Sequence, residues 1–473
     1  MSILLGVFLL CLLYGIIRLL NFCSPSFSPQ LYYDHNSPFV QNIIQSCSLL
    51  RQPYIPLLLW GKNGHLQTLV CGVRGRNKDV DNWKERRELK MEDGATLTFD
   101  VFQPIREHPH GDFTIVVCPG HGSNSESCYI GSFVSHAQSQ GYRVVIQNHL
   151  GTLKDVKLTS PRVFNYGNTD DFHSITLEIQ KLYPDTKMSL VGFSMGANIV
   201  LKYLGENFEN QKRFLCGLSI CQGYDANLAV SHYFDTLSPC SAYLLLLTTR
   251  QKSLLWEHKD VLFSDEAKNR YGALDEDRIF NSPTLLEIDE YYSRLVKNNS
   301  CSTLFVTFQN FFFFKHLFFP DNISEIVSVM QIQIFAYHFV CFESWGFLFL
   351  CWGIVFWWGG FVHQDQERIF YNMLKEDTKG AKKPLYNSIK IPLLLLNAAD
   401  DPLVPQDLLR IPKTQAMNND KCIMAVTTHG GHLGYLEGGS FFPNEISWSD
   451  KLIVQYLDTI ISQHMANIAE LQT

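Results

Sequence analysis

The chain lacks any surplus of positive charge. Against 46 acidic residues stand 39 basic ones, a formal net charge of −7, and no block of like charges occurs. A nucleic-acid partner needs a basic face for its phosphates, so that class is excluded. Metal-ligand spacing is also missing. The 13 cysteines are scattered, with no C-x-x-C pair and no Cys/His cluster. Neither a structural metal site nor a small disulfide scaffold is therefore expected. Charged residues are scarce at 18 %, while 46 % are hydrophobic, which is the balance of a packed core and not of a disordered chain.

What is present begins with an apolar amino terminus. Residues 3–17 carry no charge, Arg18 interrupts, and Leu19, Leu20 and Phe22 continue. The run is about 20 residues, close to what a bilayer crossing requires. No basic segment precedes it, and the small-residue sites after it contain no alanine, so an uncleaved transmembrane anchor is expected over residues 1–22. A cleaved signal peptide and a docking helix are the alternatives. Arg18 lies on the body side and by itself favours a cytosolic body.

Short apolar runs then alternate with helical stretches. Residues 114–118 (TIVVC), 143–147 (RVVIQ), 188–193 (MSLVGF), 215–220 (LCGLSI), 392–397 (PLLLLN) and 422–427 (CIMAVT) read as buried strands. Helices are expected at 126–140, 170–182, 195–206, 406–417 and 447–464, with Thr169 or Asp170 capping the second. Residues 87–90 and 96–102 suit an antiparallel hairpin ahead of the core. Continuous apolar strands alternating with helices predict an α/β class, a mostly parallel sheet with helices on both faces. The gap from 223 to 391 breaks the alternation and is expected to hold a lid insertion.

Gly192-Phe193-Ser194-Met195-Gly196 fits G-x-S-x-G between an apolar strand and a helix. A serine in that turn is an exposed nucleophile, and the amide of the next residue, Met195, can face an oxyanion. A serine nucleophile needs a base, and the base needs a carboxylate to set its tautomer. Asp400-Asp401-Pro402 follows one strand and His429-Gly430-Gly431-His432 follows the next. Asp401, four residues before Pro405 in a D-x-x-x-P turn, is preferred to Asp400. His432 is preferred to His429 because two glycines before it let the loop reach across. A second oxyanion amide is expected after the 114–118 strand, at Cys118-Pro119-Gly120-His121-Gly122, from His121, with Gly120 shaping the loop.

These segments, with Gly64-His65-Leu66-Gln67-Thr68, Asn148-His149-Leu150-Gly151, Ser160-Pro161-Arg162, Tyr166-Gly167-Asn168-Thr169-Asp170 and Cys221-Gln222-Gly223-Tyr224, occur in one order. The set resembles the α/β-hydrolase-domain lipases related to bacterial YheT, over roughly 25–295 and 367–464. The resemblance implies an α/β-hydrolase fold, a Ser194–Asp401–His432 triad, acylglycerol lipase and esterase activity, and a type II single-pass anchor in the plasma membrane or endoplasmic reticulum. That topology opposes Arg18, and a single arginine weighs less than the shared motifs. The expected partners are a lipid ester and a membrane, with no nucleic acid, no metal and no cofactor. Acyl transfer by the same triad, or a catalytically weak fold that binds a lipid or steroid, are the competing readings.

The expected organisation is an anchor (1–22), an N-terminal extension (23–85), the first half of the hydrolase core (86–223), a lid (224–295), a Phe-rich insertion (296–366), and the end of the lid with the second half of the core (367–473). The insertion stands apart. Of 34 Phe, 15 fall between Phe305 and Phe361, beside four of the eight Trp, and 345–362 has no charge. One membrane span there would put Ser194 and His432 on opposite sides of a bilayer. Phe codons are thymine-rich, and Val296-Lys297 is what a splice donor beginning GTAAA encodes. The resembled family has no counterpart to the segment. We therefore expect a retained intron, with a membrane-dipping lid or a soluble insertion as alternatives. The expectation is that digests of native protein contain no peptide from 335–361; finding such peptides, or transcript reads that cross the segment without a gap, overturns it.

Overall fold

The computed structural model describes residues 2–73, 84–224, 229, 232, 239–272, 274–296 and 388–472. The Phe-rich insertion expected at 296–366 lies outside the described residues except for Val296, as does the beginning of the segment expected at 367–473. The lid expected at 224–295 and the anchor expected at 1–22 are described only in part.

Nine strands form one sheet in the order β1-β9-β8-β7-β6-β4-β5-β3-β2. They are β1 (Gln30–Tyr32), β2 (Lys84–Lys90), β3 (Thr96–Phe102), β4 (Phe113–Cys118), β5 (Arg143–Asn148), β6 (Lys187–Phe193), β7 (Phe214–Ile220), β8 (Leu393–Ala398) and β9 (Cys422–Thr427). The pairings from β5 through β4, β6, β7 and β8 to β9 are all parallel. β2, β3 and β5 join antiparallel, and β1 closes the far edge antiparallel to β9. The central strands are buried along their whole length, as expected for a sheet covered on both faces. The edges are blunted: β2 reads KERRELK and β1 is three residues long.

The helices used below are α1 (Ser2–Leu19), α2 (Pro38–Ser46), α3 (Gly64–Val73), α4 (Cys128–Ser139), α5 (Asp170–Leu182), α6 (Met195–Glu206), α7 (Pro239–Glu257), α8 (Asp265–Tyr271), α9 (Arg410–Met417) and α10 (Trp448–Gln472). One apolar layer packs α2, α4 and α10 on the sheet through residues such as Ile43, Phe133 and Leu457. The other packs α5, α6 and α9 through Phe172, Val200 and Ala416. A separate cluster around Leu255, Phe263, Ile279 and Tyr292 holds together the helical excursion between β7 and β8. Among the described residues no helix is long and apolar enough to cross a membrane.

One expected helix start shifts, and at one expected cap the side chain bonds elsewhere, each for a local reason. α4 starts at Cys128 instead of residue 126, because the residues before it are tied into a turn. The Asn124 N–H donates to Ser127 Oγ, and the Asn124 side chain accepts from the Glu126 N–H. Ser125 Oγ donates to the buried Asp100. Thr169 occupies the cap position of α5, but its hydroxyl donates to Glu206 at 2.6 Å instead of capping.

Close packing fixes the turn from β6 into α6. A methyl on Gly196 would sit 2.0 Å from the Cys118 carbonyl oxygen, and one on Gly192 2.4 Å from Ala197 Cα. Backbone cannot yield at such distances, so Gly196→Ala should cost about 3 kcal/mol or more of unfolding free energy, measured by denaturant titration. Beside this turn, burial pushes the His121 imidazole down to about 3 and the His149 imidazole down to about 4. In the unfolded chain both titrate near about 6.5. Between those values the unfolded state binds more protons, so stability falls as pH drops below about 6.5. His149→Gln should flatten that fall in a melting-temperature series; an unchanged slope would remove burial of His149 as the cause.

Candidate active site

Ser194 directly follows β6 and caps the start of α6, with φ 53° and ψ −118°. A non-glycine residue reaches such angles only when its surroundings impose them. Here the two close-packed glycines do so, and the side chain is lifted off the sheet end. β4 lies next to β6, so the loop after β4 arrives alongside. Gly120 comes so near that a methyl there would be 3.4 Å from Ser194 Cβ.

The structure brings Ser194, Asp401 and His432 into one hydrogen-bonded line. The Ser194 hydroxyl donates to His432 Nε2 at 2.8 Å, and His432 Nδ1–H donates to Asp401 Oδ2 at 2.8 Å. Asp401 follows β8 and His432 follows β9. The Asp401 carboxylate is fully shielded, and its other oxygen accepts the N–H groups of Leu403 and Val404 at 2.8 and 3.1 Å. Those bonds fix the carboxylate's orientation toward His432.

Asp400 and His429 stand behind this line. Asp400 Oδ1 accepts the Gly431 N–H at 2.8 Å. His429 shares a hydrogen bond with Ser24 Oγ at 3.0 Å through Nε2. His429 Nδ1 and Asp400 Oδ2 are 3.4 Å apart, within ion-pair range but without hydrogen-bond alignment.

The loop carrying His432 is held from the N-terminal extension. The His432 N–H donates to Thr68 Oγ1 at 2.8 Å, and the Thr68 hydroxyl donates to Gly64 O. Gln67, fully buried, accepts the Leu436 N–H and donates to Gly61 O and Tyr54 Oη. Cys221, at φ 55°, accepts the Leu433 N–H on its sulfur at 3.4 Å. Gly431 has φ 56°, and a methyl on it would lie 2.3 Å from Gly64 O. Thr68, Gln67 and Cys221 lie in motifs that the sequence analysis noted, but their roles are contacts between distant segments.

Of the expected oxyanion donors, Met195 contributes an amide at the start of α6, where helix N–H groups lack intrahelical partners. The Gly120 N–H is taken by Tyr129 Oη at 2.8 Å, which fits a shaping role. The His121 ring lies between Phe164 and Tyr166, centroids 5.2 and 5.6 Å away, and neither ring nitrogen has a hydrogen-bond partner. Burial first, then the Arg250 charge, keep it neutral. Arg250, on α7, donates to Gly122 O at 2.7 Å, and no sequence pattern signals that contact.

Among the described residues Cys221, Asp401 and His432 are grouped closely enough to hold a metal ion, their ligand atoms within 4.8 Å. Both His432 nitrogens are already engaged by Ser194 and Asp401, and burial pushes the Cys221 thiol well above its usual range. The donor set fits the serine arrangement better than a metal centre.

Comparison with known proteins agrees with this architecture. A family model described as the alpha/beta hydrolase fold matches residues 114–270. Monoacylglycerol lipase ABHD2 of Homo sapiens is 36 % identical over 454 residues, covering 95 % of this chain and 89 % of that protein. A Danio rerio protein of the same name is 37 % identical over 446 residues, covering 94 % of this chain and 86 % of that protein. Abhydrolase domain-containing protein 2 of Drosophila melanogaster is 32 % identical over 457 residues, covering 96 % of each. With the fold, the strand-end placement of the site and this span of identity in hand, the chain belongs to the ABHD2 family of α/β-hydrolase proteins.

Proposed function

We propose that the protein is a membrane-bound serine hydrolase of carboxylic esters whose substrates are monoacylglycerols. The observation that carries the reading is the unbroken line from Asp401 through His432 to Ser194, 2.8 Å at each step. Ser194 Oγ attacks the ester carbonyl while His432 Nε2 takes its proton. The negative charge that develops on the carbonyl oxygen is received by the amides of Met195 and His121. His432 returns the proton to the leaving glycerol, and the acyl group stays on Ser194. A water then enters, gives its proton to His432 and attacks the acyl-enzyme; the proton returns to Ser194 as the fatty acid leaves. Asp401 keeps the imidazole in the tautomer with hydrogen on Nδ1 and stabilises it when charged.

A lipid substrate is supported by the relatives named monoacylglycerol lipase, and the membrane location is our reading of the uncharged run 3–17 with Leu19, Leu20 and Phe22 beyond it. α1 spans 18 residues, and Leu9, Leu10 and Leu13 point into solvent. At the usual rise such a helix is about 27 Å long, and the apolar sequence continues into Leu20. We read it as a type II single-pass anchor, in the plasma membrane or endoplasmic reticulum. The excursion containing α7 and α8 is read as the lid.

The test is labelling with a fluorophosphonate followed by assay on a monoacylglycerol. The wild type should label, and Ser194→Ala should lose the label together with hydrolysis on the order of 10³-fold or more. Folded wild-type protein that neither labels nor hydrolyses the ester would instead favour a binding role.

A further inference from the structure

Two loops far apart in sequence build a projecting apolar face. Ile55, Leu58 and Leu59 lie on one, Phe441 and Phe442 on the other, and all five are exposed, Phe442 at 80 %. A soluble surface rarely concentrates side chains of this size in one place. The segments 55–62 and 438–443 contain no Asp or Glu. Their polar backbone groups satisfy one another. The Leu58 N–H donates to Gly439 O and the Leu59 N–H to Ser440 O. The Trp60 indole N–H donates to Phe441 O at 2.8 Å. The loop closes on itself through the Asn444 N–H to Glu437 O and a bridge between Gly438 and Pro443. Mutual pairing of this kind is what an apolar solvent demands of backbone that enters it.

The same face carries the end of α1. Leu20 packs with Leu66 and Val70 on the cluster of Leu57, Trp60 and Leu436. The Asn21 side chain donates to Lys62 O, and Lys62 Nζ donates to Phe22 O. The apolar helix and the two hydrophobic loops are thus joined through one turn, residues 57–62. Below that turn α3 grips the loop of His432, four residues before Leu436.

We propose that this face inserts into a lipid bilayer, with Phe441, Phe442 and Leu58 as its deepest side chains. The occupant is a lipid surface, because the helix rooted there is itself exposed and apolar. The proposal rests on the membrane reading above and deepens it. Insertion sets the height of the active site over the lipid, so that an acylglycerol passes from the bilayer toward Ser194 without crossing bulk water.

The test uses the full-length protein in phosphatidylcholine vesicles, where α1 retains every variant. Fluorescence quenching by brominated acyl chains is compared between wild type and Trp60→Phe, the difference reporting Trp60. The expected result is a quenched Trp60, and loss of that quenching in Phe441→Asp/Phe442→Asp. The same double variant should hydrolyse vesicle-borne monoacylglycerol about tenfold more slowly, with p-nitrophenyl butyrate in solution hydrolysed at the wild-type rate. An unquenched Trp60, or equal loss on both esters, overturns the proposal. A drop from dimer to monomer in the variant, with Trp60 unquenched in the wild type, overturns it in favour of a second copy on this face. A wild type inactive on both esters would defeat the hydrolase reading, while the quenching still decides the docking face.

Discussion

Everything at the active site depends on how closely α6 is pressed against the end of β4. Gly196 leaves no room for a methyl beside the Cys118 carbonyl, and Gly192 leaves none beside Ala197. That approach imposes the left-handed angles of Ser194, which cost of order 1–3 kcal/mol that the surrounding packing must supply. The strain has a geometric return. It holds the hydroxyl at the sheet end, next to the loop after β4, where Gly120 closely approaches Ser194. The sheet order does the rest. β7, β8 and β9 follow β6 across the sheet, so the loops that leave their ends bring Cys221, Asp401 and His432 from one side.

The histidine arm needs a different kind of support, since a loop does not hold an imidazole to a fraction of an ångström by itself. Leu433 and Tyr435 both have positive φ, at 64° and 44°, and flank the residues that must stay in register. α3 supplies the restraint. Thr68 takes the His432 N–H, and Gln67 bridges the Leu436 backbone to Gly61 and Tyr54. A buried amide whose donors and acceptor are all engaged is rigid, because leaving any of them unpaired costs about 1–3 kcal/mol. Asp400 adds a second clamp through the Gly431 N–H. The extension before the sheet is thus part of the active-site frame and not a spacer after the apolar helix.

The sheet was largely legible because buried parallel strands leave continuous apolar runs. PLLLLN and CIMAVT differ from the observed β8 and β9 by one residue or none. β1 was not legible: three residues pairing with β9 carry too little pattern to separate them from coil. The order of serine, acid and histidine could be read because each follows an apolar run. Preference for Asp401 over Asp400 came from turn spacing, and the structure puts Asp401 on His432. The supports could not be read. Thr68 meets His432, and Arg250 meets Gly122, only after the chain has folded; Thr68 lies in a shared motif that does not reveal its partner, and no pattern marks Arg250. The Phe-rich segment gave the opposite case, a loud composition signal that corresponds to no described element.

The helical excursion is tied to the site at three points, and the ties differ in what they hold. Arg250 holds the Gly122 carbonyl, in the loop after β4 that carries His121. Cys240 donates its thiol to Pro402 O, one residue past Asp401. Tyr243 and His65 share a hydrogen bond at 3.1 Å, on the helix that carries Thr68. All three partners on the excursion lie on α7, so that helix cannot move as a body without releasing the loop after β4, the turn of Asp401 and α3 together. Each such bond is worth about 0.5–1.5 kcal/mol net. α7 also buries Cys240, Leu244 and Leu255, so packing adds to these bonds in holding it. The same helix is thus bonded to the loop after β4, to the turn of Asp401 and to α3, so its placement is coupled to all three segments around Ser194.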